Sequence, residues 1–187
     1  MTENKLPSRW DLQNDELHAD CRIFEVRKRR FKRRTDGVVG DFFVLDTNDW
    51  VNVLAITPEE QVVLVKQFRY GSREHSLEPP GGVVEKGEDP IFAGLRELEE
   101  ETGYVGENPK LLGTVRPNAA ILSNRCHIVM VHNVLKTAEL NFDQHEELIT
   151  ELYPLSELKN LVKSGQITHS IGLNSVLMLL LEFGEIL

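Results

Sequence analysis

Residues 82–104 read GVVEKGEDPIFAGLRELEEETGY, and the second half of this segment carries the signals of an α-helix. Asp89 is a typical N-cap, because its side chain can accept a hydrogen bond from the free amides of the first turn. Pro90 is favoured as the first helical residue, and Gly103 suits a left-handed C-cap. These signals predict a helix that begins after Asp89 and ends before Gly103.

Three glutamates of this helix share one face. Glu97, Glu100 and Glu101 stand at positions i, i+3 and i+4, which are neighbours on a helix surface. Like charges at these spacings repel one another, whereas a hard divalent cation would hold them together. Carboxylate oxygens suit Mg²⁺, with Mn²⁺ as the alternative. A solvated acidic face is the simpler explanation of the same run of charges.

The helix also carries an apolar stripe, which we expect to bury against a sheet. The stripe consists of Ile91, Phe92, Ala93, Gly94, Leu95 and Leu98. Arg96 lies four residues before Glu100, and we interpret it as an internal brace for the acids rather than as a ligand.

The segment resembles the signature of the Nudix hydrolases. The matching positions are Gly82, Glu88, Arg96, Glu97, Leu98, Glu100, Glu101, Gly103 and Tyr104. This many positions at fixed spacing is a far more specific signal than a single glycine motif. The resemblance implies an α+β fold, an α/β/α sandwich with a mixed sheet, and an enzyme that cleaves a nucleoside diphosphate linked to another group.

The resemblance also implies roles for individual residues of the motif. The metal would be held by Glu97, Glu100, Glu101 and the carbonyl of Gly81. The structure of the motif would depend on Gly82, Glu88, Arg96 and Gly103.

Two short motifs before the helix resemble the ADP-ribose pyrophosphatase branch of the family. They are QFR at residues 67–69 and LEPPGG at residues 77–82. The resemblance implies that Arg69 and Glu78 bind the substrate, and a guanidinium suits bidentate contact with phosphate. A surface arginine at the end of a strand is the alternative for Arg69.

Two loops after the helix complete the predicted site. Pro117 would line the substrate pocket, but it lies closer to the motif than is usual in this branch, which leaves room for nucleoside diphosphate sugars other than ADP-ribose. In the acidic loop 141–147, Glu146 and Glu147 both qualify as the general base or an additional metal ligand. A plain solvated turn is the alternative for this loop.

The N-terminal part of the chain is rich in β-strand signals. Residues 1–18 are expected to be irregular, and residues 21–32 and 38–45 to pair as strands around a turn at Asp36-Gly37. Such a leader resembles the segment that ADP-ribose pyrophosphatases exchange between the subunits of a homodimer. We therefore predict a dimerisation segment over residues 1–49 and a catalytic domain over residues 50–187.

The rest of the chain alternates strands with two helices. Strands are expected at residues 50–56, 61–66, 110–116, 126–135 and 148–153, and helices at residues 157–164 and 170–183. The histidines lack the spacing of a metal site, so none is assigned a role.

Composition limits the classes of protein to consider. The chain has 187 residues, 41% hydrophobic, and a net charge of −9, although residues 27–34 (RKRRFKRR) hold seven basic side chains. Because the chain is acidic overall and the cluster contains a single aromatic residue, we do not expect it to bind nucleic acid. We interpret the cluster as a hairpin that faces solvent or the dimer interface. The alternative hypothesis is that it helps to attract an anionic substrate. No membrane span and no secretory signal are visible, and Cys21 and Cys126 are expected to be reduced core thiols of a cytoplasmic protein.

These observations lead to one expected function and two alternatives. We expect metal-dependent hydrolysis of nucleoside diphosphate sugars, with ADP-ribose giving AMP and ribose 5-phosphate. A housecleaning Nudix hydrolase of nucleoside triphosphates or dinucleoside polyphosphates is the nearest alternative. A non-catalytic nucleotide-sugar sensor is a more remote one.

Overall fold

The computed structural model describes residues 6–142 and 144–184. Its strands are β1 (Trp10–Asp20), β2 (Glu25–Arg33), β3 (Val39–Asp46), β4 (Trp50–Ile56), β5 (Gln61–Arg69), β6 (Glu74–Glu78), β7 (Tyr104–Val105), β8 (Lys110–Val115), β9 (Cys126–His132), β10 (Leu135–Lys136) and β11 (Leu148–Pro154). Its α-helices are α1 (Pro90–Thr102), α2 (Leu158–Lys163) and α3 (Ser170–Glu182). The chain divides into two compact units: the first extends to Thr47 and includes Asn118–Asn124, and the second comprises Asn48–Pro117 and the chain from Arg125 onward.

The first unit is an antiparallel sheet in the order β1-β2-β3. The prediction of an irregular leader is wrong in its described part, because β1 begins at Trp10; residues 1–5 lie outside the described residues. Most side chains of β1 are exposed, so the strand lacks the apolar alternation that pattern analysis detects. Ion pairs join it to β2 instead: Asp15 lies 2.8 Å from Arg27 and 2.9 Å from Arg29.

The basic cluster of residues 27–34 is largely neutralised within this sheet. Six of its seven basic side chains form ion pairs. Besides the two pairs with Asp15, these include Lys28–Asp41, Arg30–Asp41, Arg33–Asp36 and Arg34–Asp11. Exposed pairs of this kind contribute little to stability. They do reduce the field of the cluster, which weakens the hypothesis that it attracts an anionic substrate.

The second unit is built on a mixed sheet in the order β11-β5-β4-β9-β8, with β6 paired to β5. The pair β4–β9 is parallel and the others are antiparallel. Helix α1 covers one face, and α2 and α3 cover the other. The predicted α/β/α sandwich with a mixed sheet is confirmed.

Strand β4 shows why the sheet is buried on both faces. Val51, Val53 and Ala55 pack towards α1, whereas Leu54 and Ile56 pack towards α2 and α3. A strand covered on both faces reads as a continuous apolar run. The hydrophobic composition of this strand therefore follows from its central place in the sheet.

Helix α1 begins and ends where the sequence predicts. The Asp89 side chain accepts a hydrogen bond from the Ile91 amide at 2.8 Å, and Gly103 closes the helix with a φ of 71°. Ala93 and Leu98 are fully buried against the sheet. Phe92 was expected in the apolar stripe but is 68% exposed, because its direction on the helix points it away from β4.

The segment of residues 79–82, called the glycine loop below, takes the place of a strand beside β4. Strands β4 and β5 pair directly only at Ala55 and Ile56 and then separate. In the gap, the amide of Val51 donates to the Gly82 carbonyl at 2.9 Å and that of Val53 to the Pro80 carbonyl at 2.8 Å. The separation of the two strands thus lets the residues before α1 lie in the gap between β4 and β5.

Two further observations concern the state of the cysteines and the length of the helices. Both thiols are free, but Cys126 is buried while Cys21 is exposed, so the expectation of core thiols is correct for Cys126 alone. Burial raises the pKa of the Cys126 thiol to about 12. Within residues 6–142 and 144–184, no helix combines the length and apolar character needed to cross a membrane.

Candidate active site

Helix α1 presents its three predicted ligand acids at different depths. Glu97 is 9% exposed and Glu101 is 4% exposed, whereas Glu100 is half-buried. Burying carboxylates beside one another is unfavourable unless a proton or a cation compensates for the charge. The depth of Glu97 and Glu101 is therefore the first sign that this face is more than a solvated acidic surface.

The protonation of these acids reflects the same burial. Burial raises the pKa of Glu101 to about 8, and the charges of Glu97 and Glu146 act in the same direction. The amide of Gly81 donates to Oε2 of Glu101 at 2.9 Å and opposes the shift. Burial also raises the pKa of Glu97. A metal ion that bound here would have to displace a proton, so its affinity would rise with pH.

Arg96 connects the acids of the helix to the loop before it. Its Nε donates to Glu88 at 3.0 Å, and its Nη1 donates to Glu97 at 2.9 Å and to Glu100 at 3.0 Å. Its Nη2 donates to the carbonyl of Val83 at 3.1 Å. Arg96 therefore neutralises part of the acidic face and fixes the loop on the helix.

Gly81 lies where the backbone approaches β4 closely. A Cβ atom at this position would stand 2.0 Å from the carbonyl oxygen of Val51. Any side chain would force the loop away from the strand, and with it the amide that binds Glu101. Glycine is therefore required here by close approach of two backbones.

Arg69 and Glu78 form a bidentate ion pair beside the glycine loop. Nε and Nη2 of Arg69 donate to the two carboxylate oxygens, each at 2.8 Å. Glu78 is 1% exposed, and Nδ1 of His169 lies 2.8 Å from its Oε2. Burial alone would raise the pKa of Glu78, but His169 and Arg69 outweigh it and hold that pKa at about 2.

Two clefts meet at Arg69. One has a volume of about 670 Å³ and is lined by parts of β4, β6, the glycine loop and the start of α3. The other has a volume of about 1170 Å³ and is lined by the end of β5 and by residues 144–149. Arg69, Tyr70 and His75 line both clefts, whereas Pro117 lines neither.

The two loop glutamates lie in the larger cleft. Glu146 and Glu147 both line it together with Arg69. The charge of Glu146 also contributes to the pKa values of Glu97, Glu101 and Arg69. Glu146 is therefore within electrostatic range of the buried acids of α1.

The donor set of the site suits a hard divalent cation. It offers carboxylates whose pKa values are raised mainly by burial, together with backbone oxygens of the glycine loop. In the part of the chain that the structure describes, no three acidic, histidine or cysteine side chains converge on one point. The reason is local: Glu97 and Glu100 bind Arg96, and Glu101 binds the Gly81 amide.

One residue of the site escaped sequence analysis. His169 directly precedes α3, lines the smaller cleft and contacts Glu78. No spacing rule could find it, because the contact joins the end of β6 to a helix that follows far along the chain. A histidine where an N-cap residue is expected was the only local sign.

Comparison with known proteins agrees with the fold and the motif. The family model for the NUDIX domain matches residues 47–170. The fold is similar to the crystal structure of an ADP compounds hydrolase, with a TM-score of 0.84 at 21% sequence identity, over 97% of this chain and 100% of that one.

Two curated relatives are similar in sequence. The chain is 37% identical over 102 residues to the methanol dehydrogenase activator of Bacillus methanolicus. These residues make up 53% of this chain and 55% of that protein. It is 32% identical over 120 residues to the ADP-ribose pyrophosphatase of Bacillus subtilis (strain 168). These residues make up 63% of this chain and 64% of that protein. The chain thus matches between about half and two thirds of the length of these relatives.

Because the NUDIX match spans most of the second unit and includes the whole of α1, the chain belongs to the Nudix family.

Proposed function

We propose that this protein hydrolyses the pyrophosphate bond of nucleoside diphosphate sugars in the presence of Mg²⁺, with ADP-ribose as its preferred substrate. The observation that carries the proposal is the burial of Glu97 and Glu101 beside the glycine loop. Nudix hydrolases depend on a divalent metal, and this arrangement offers one a negatively charged, partly desolvated site. The name of the B. subtilis relative supports the choice of substrate.

The residues that would hold the metal are those of α1 and the loop before it. Glu97, Glu100, Glu101 and the carbonyl of Gly81 are the proposed ligands. Mg²⁺ is favoured over Mn²⁺ because hard oxygen ligands and phosphate suit it. When bound, the metal supplies positive charge that neutralises the diphosphate and acidifies a water molecule.

The chain's own residues would orient the diphosphate and move the proton. Arg69 stands where the two clefts meet, and its guanidinium would bind a phosphate of the substrate. Glu146 would take the proton of the attacking water, and Glu147 is the alternative base. Glu146 is favoured because its charge already acts on the buried acids and on Arg69.

The bonds made and broken follow from this arrangement. The water oxygen forms a new bond to one phosphorus, and the bond from that phosphorus to the bridging oxygen breaks. The bridging oxygen leaves with the other phosphate, and the proton of the water passes to the glutamate. With ADP-ribose the products are AMP and ribose 5-phosphate.

A second copy of the chain is the proposed partner. The first unit exposes an aromatic cluster, defined here as Trp10, Phe31 and Phe42, whose rings contact one another at centroid distances of 5.8 and 5.9 Å. Trp10 is 37% exposed and Phe42 is 46% exposed, which is costly unless another surface covers them. We propose a homodimer of a cytoplasmic enzyme, in keeping with its two free thiols.

A hydrolysis screen tests the function. The protein is incubated with Mg²⁺ and, in turn, with ADP-ribose, other nucleotide sugars and nucleoside triphosphates, and the release of nucleoside monophosphate and of phosphate is measured. We expect nucleoside monophosphate from nucleotide sugars, and loss of the reaction on chelation of the metal. Turnover of triphosphates alone would contradict the proposal and favour a housecleaning role. No turnover of any compound would favour a sensor.

A further inference from the structure

The contact between His169 and Glu78 joins the start of α3 to the ion pair in the clefts. Nδ1 of His169 lies 2.8 Å from Oε2 of Glu78, the oxygen that also accepts from Nη2 of Arg69. This nitrogen is shielded from solvent and makes no well-aligned hydrogen bond within the described residues. The Glu78 carboxylate is therefore the polar group that this buried nitrogen faces.

Glu78 needs both of its neighbours. Its side chain is 2% exposed, so its charge has lost nearly all contact with water. A buried carboxylate is tolerated when other groups satisfy its oxygens, and breaking one such contact is strongly unfavourable. Arg69 satisfies both oxygens from one side, and His169 approaches Oε2 from another. Loss of His169 would leave Oε2 with Arg69 as its remaining partner among these two and would weaken the hold on the carboxylate.

Arg69 depends in turn on Glu78. The Arg69 side chain is 42% exposed, and the solvent on its open side cannot fix its orientation. The bidentate bond uses Nε and Nη2, and the planar shape of the guanidinium leaves Nη1 on the side away from Glu78. The orientation of Nη1 is therefore set by the plane of the Glu78 carboxylate.

We propose that His169 is a positioning residue, which fixes Glu78 and through it orients the Arg69 guanidinium towards the diphosphate of the substrate. The identity of the substrate rests on the proposed function, but the positioning of Arg69 by His169 does not. His169 itself touches neither the substrate nor the metal in this proposal. It acts on the strength with which the diphosphate is bound.

The kinetic test compares three substitutions in the full chain. His169→Ala removes the contact and is expected to raise the KM for ADP-ribose about tenfold with kcat within about twofold of wild type. His169→Asn is expected to restore KM, because its amide nitrogen can stand near the position of Nδ1. Combined with Arg69→Ala, His169→Ala is expected to add nothing, since it acts through Arg69.

A control separates positioning from general stability. His132→Ala removes a different histidine, which is exposed at the end of β9 and whose ring contacts Phe183. We expect it to leave KM unchanged. An equal rise of KM in His169→Ala with and without Arg69 would overturn the proposal, as would a wild-type KM in His169→Ala.

A second measurement does not depend on activity. The Arg69 Nε–H group should give a protected signal in ¹H–¹⁵N NMR spectra of the wild-type protein, because it is held by Glu78. The signal, identified by its loss in Arg69→Lys, should broaden through exchange in His169→Ala and return in His169→Asn. An unchanged signal in His169→Ala would overturn the proposal. If the wild-type protein hydrolysed no nucleotide sugar, the proposed function would fail while this spectrum still decided the role of His169.

Discussion

A Cβ atom at Gly82 would lie 2.5 Å from the carboxyl carbon of Glu97 and 2.5 and 2.6 Å from its two oxygens. The space that even the smallest side chain would need at position 82 is filled by the carboxylate. Gly82 therefore allows Glu97 to occupy its buried position, and the two residues form one structural unit across the loop and the helix.

Gly82→Ala is expected to displace the Glu97 carboxylate. We predict at least a ~tenfold fall in hydrolysis and a higher Mg²⁺ concentration for half-maximal rate, since loss of about 1.4 kcal/mol of transition-state stabilisation is already tenfold. Gly172→Ala is the matched control, because a Cβ there would meet its neighbours at an ordinary 3.5 Å. Wild-type metal dependence in Gly82→Ala would show that Glu97 does not bind the metal from its present position.

Glu97→Gln and Glu101→Gln remove a proposed ligand charge while nearly keeping the shape of the side chain. We predict that each lowers kcat/KM for ADP-ribose at least ~100-fold, because the metal's stabilisation of the transition state is worth several kcal/mol. Thermal unfolding should show an intact fold. Glu99→Gln, on the exposed side of the same helix, should retain full activity. Near-normal turnover of either site variant at saturating Mg²⁺ would rule out the assigned metal site.

Glu146→Gln and Glu147→Gln, measured side by side, identify the general base. We predict a fall of ~10²–10⁴-fold in kcat for Glu146→Gln and a much smaller effect for Glu147→Gln, because proton transfer contributes on this scale. The pH–rate profile should lose its acidic limb only in the variant that lacks the base. Full activity in both variants would exclude this loop from the mechanism.

The raised pKa of Glu101 makes the stability of the metal-free protein depend on pH. The folded state holds the proton up to about pH 8, whereas the unfolded chain releases it near the ordinary glutamate pKa of 4.5. Between these values the folded state binds more protons, so this group's contribution to the free energy of unfolding falls as pH rises. We predict that wild-type protein in chelator loses several degrees of Tm relative to Glu101→Gln between pH 5 and pH 8.5. Mg²⁺ should restore the wild-type Tm at the higher pH, and parallel curves for the two proteins would contradict the shift.

The aromatic cluster of the first unit predicts the effect of one surface change on assembly. Phe42→Ser should convert the proposed dimer to a monomer in light scattering after gel filtration, because it removes the central ring of the cluster. Ile23→Ser is a suitable control, since that residue is 80% exposed and lies outside the strands. A dimer that survives Phe42→Ser would place the interface elsewhere.

Local sequence signals were sufficient for helix α1, whereas the class of fold was implied by the resemblance to the Nudix signature. Asp89 and Gly103 mark the helix ends through hydrogen bonds and φ values that depend only on adjacent residues. The β-rich runs at residues 50–56 and 61–66 predict strands β4 and β5 for the same local reason. Strand β1 was missed, because the ion pairs that hold it join residues on different strands and leave no periodic signal in either one.

Three carboxylates share one face of α1 and follow a pair of glycines, and both facts can be read from the sequence alone. Helical spacing and backbone freedom are properties of neighbouring residues. The folded chain is needed to see which acids are buried, that Glu78 binds Arg69, and that His169 contacts this pair. Those relationships arise where β4 and β5 separate and α3 begins. Burial and long-range ion pairs depend on the packing of distant segments, and no local pattern records that packing.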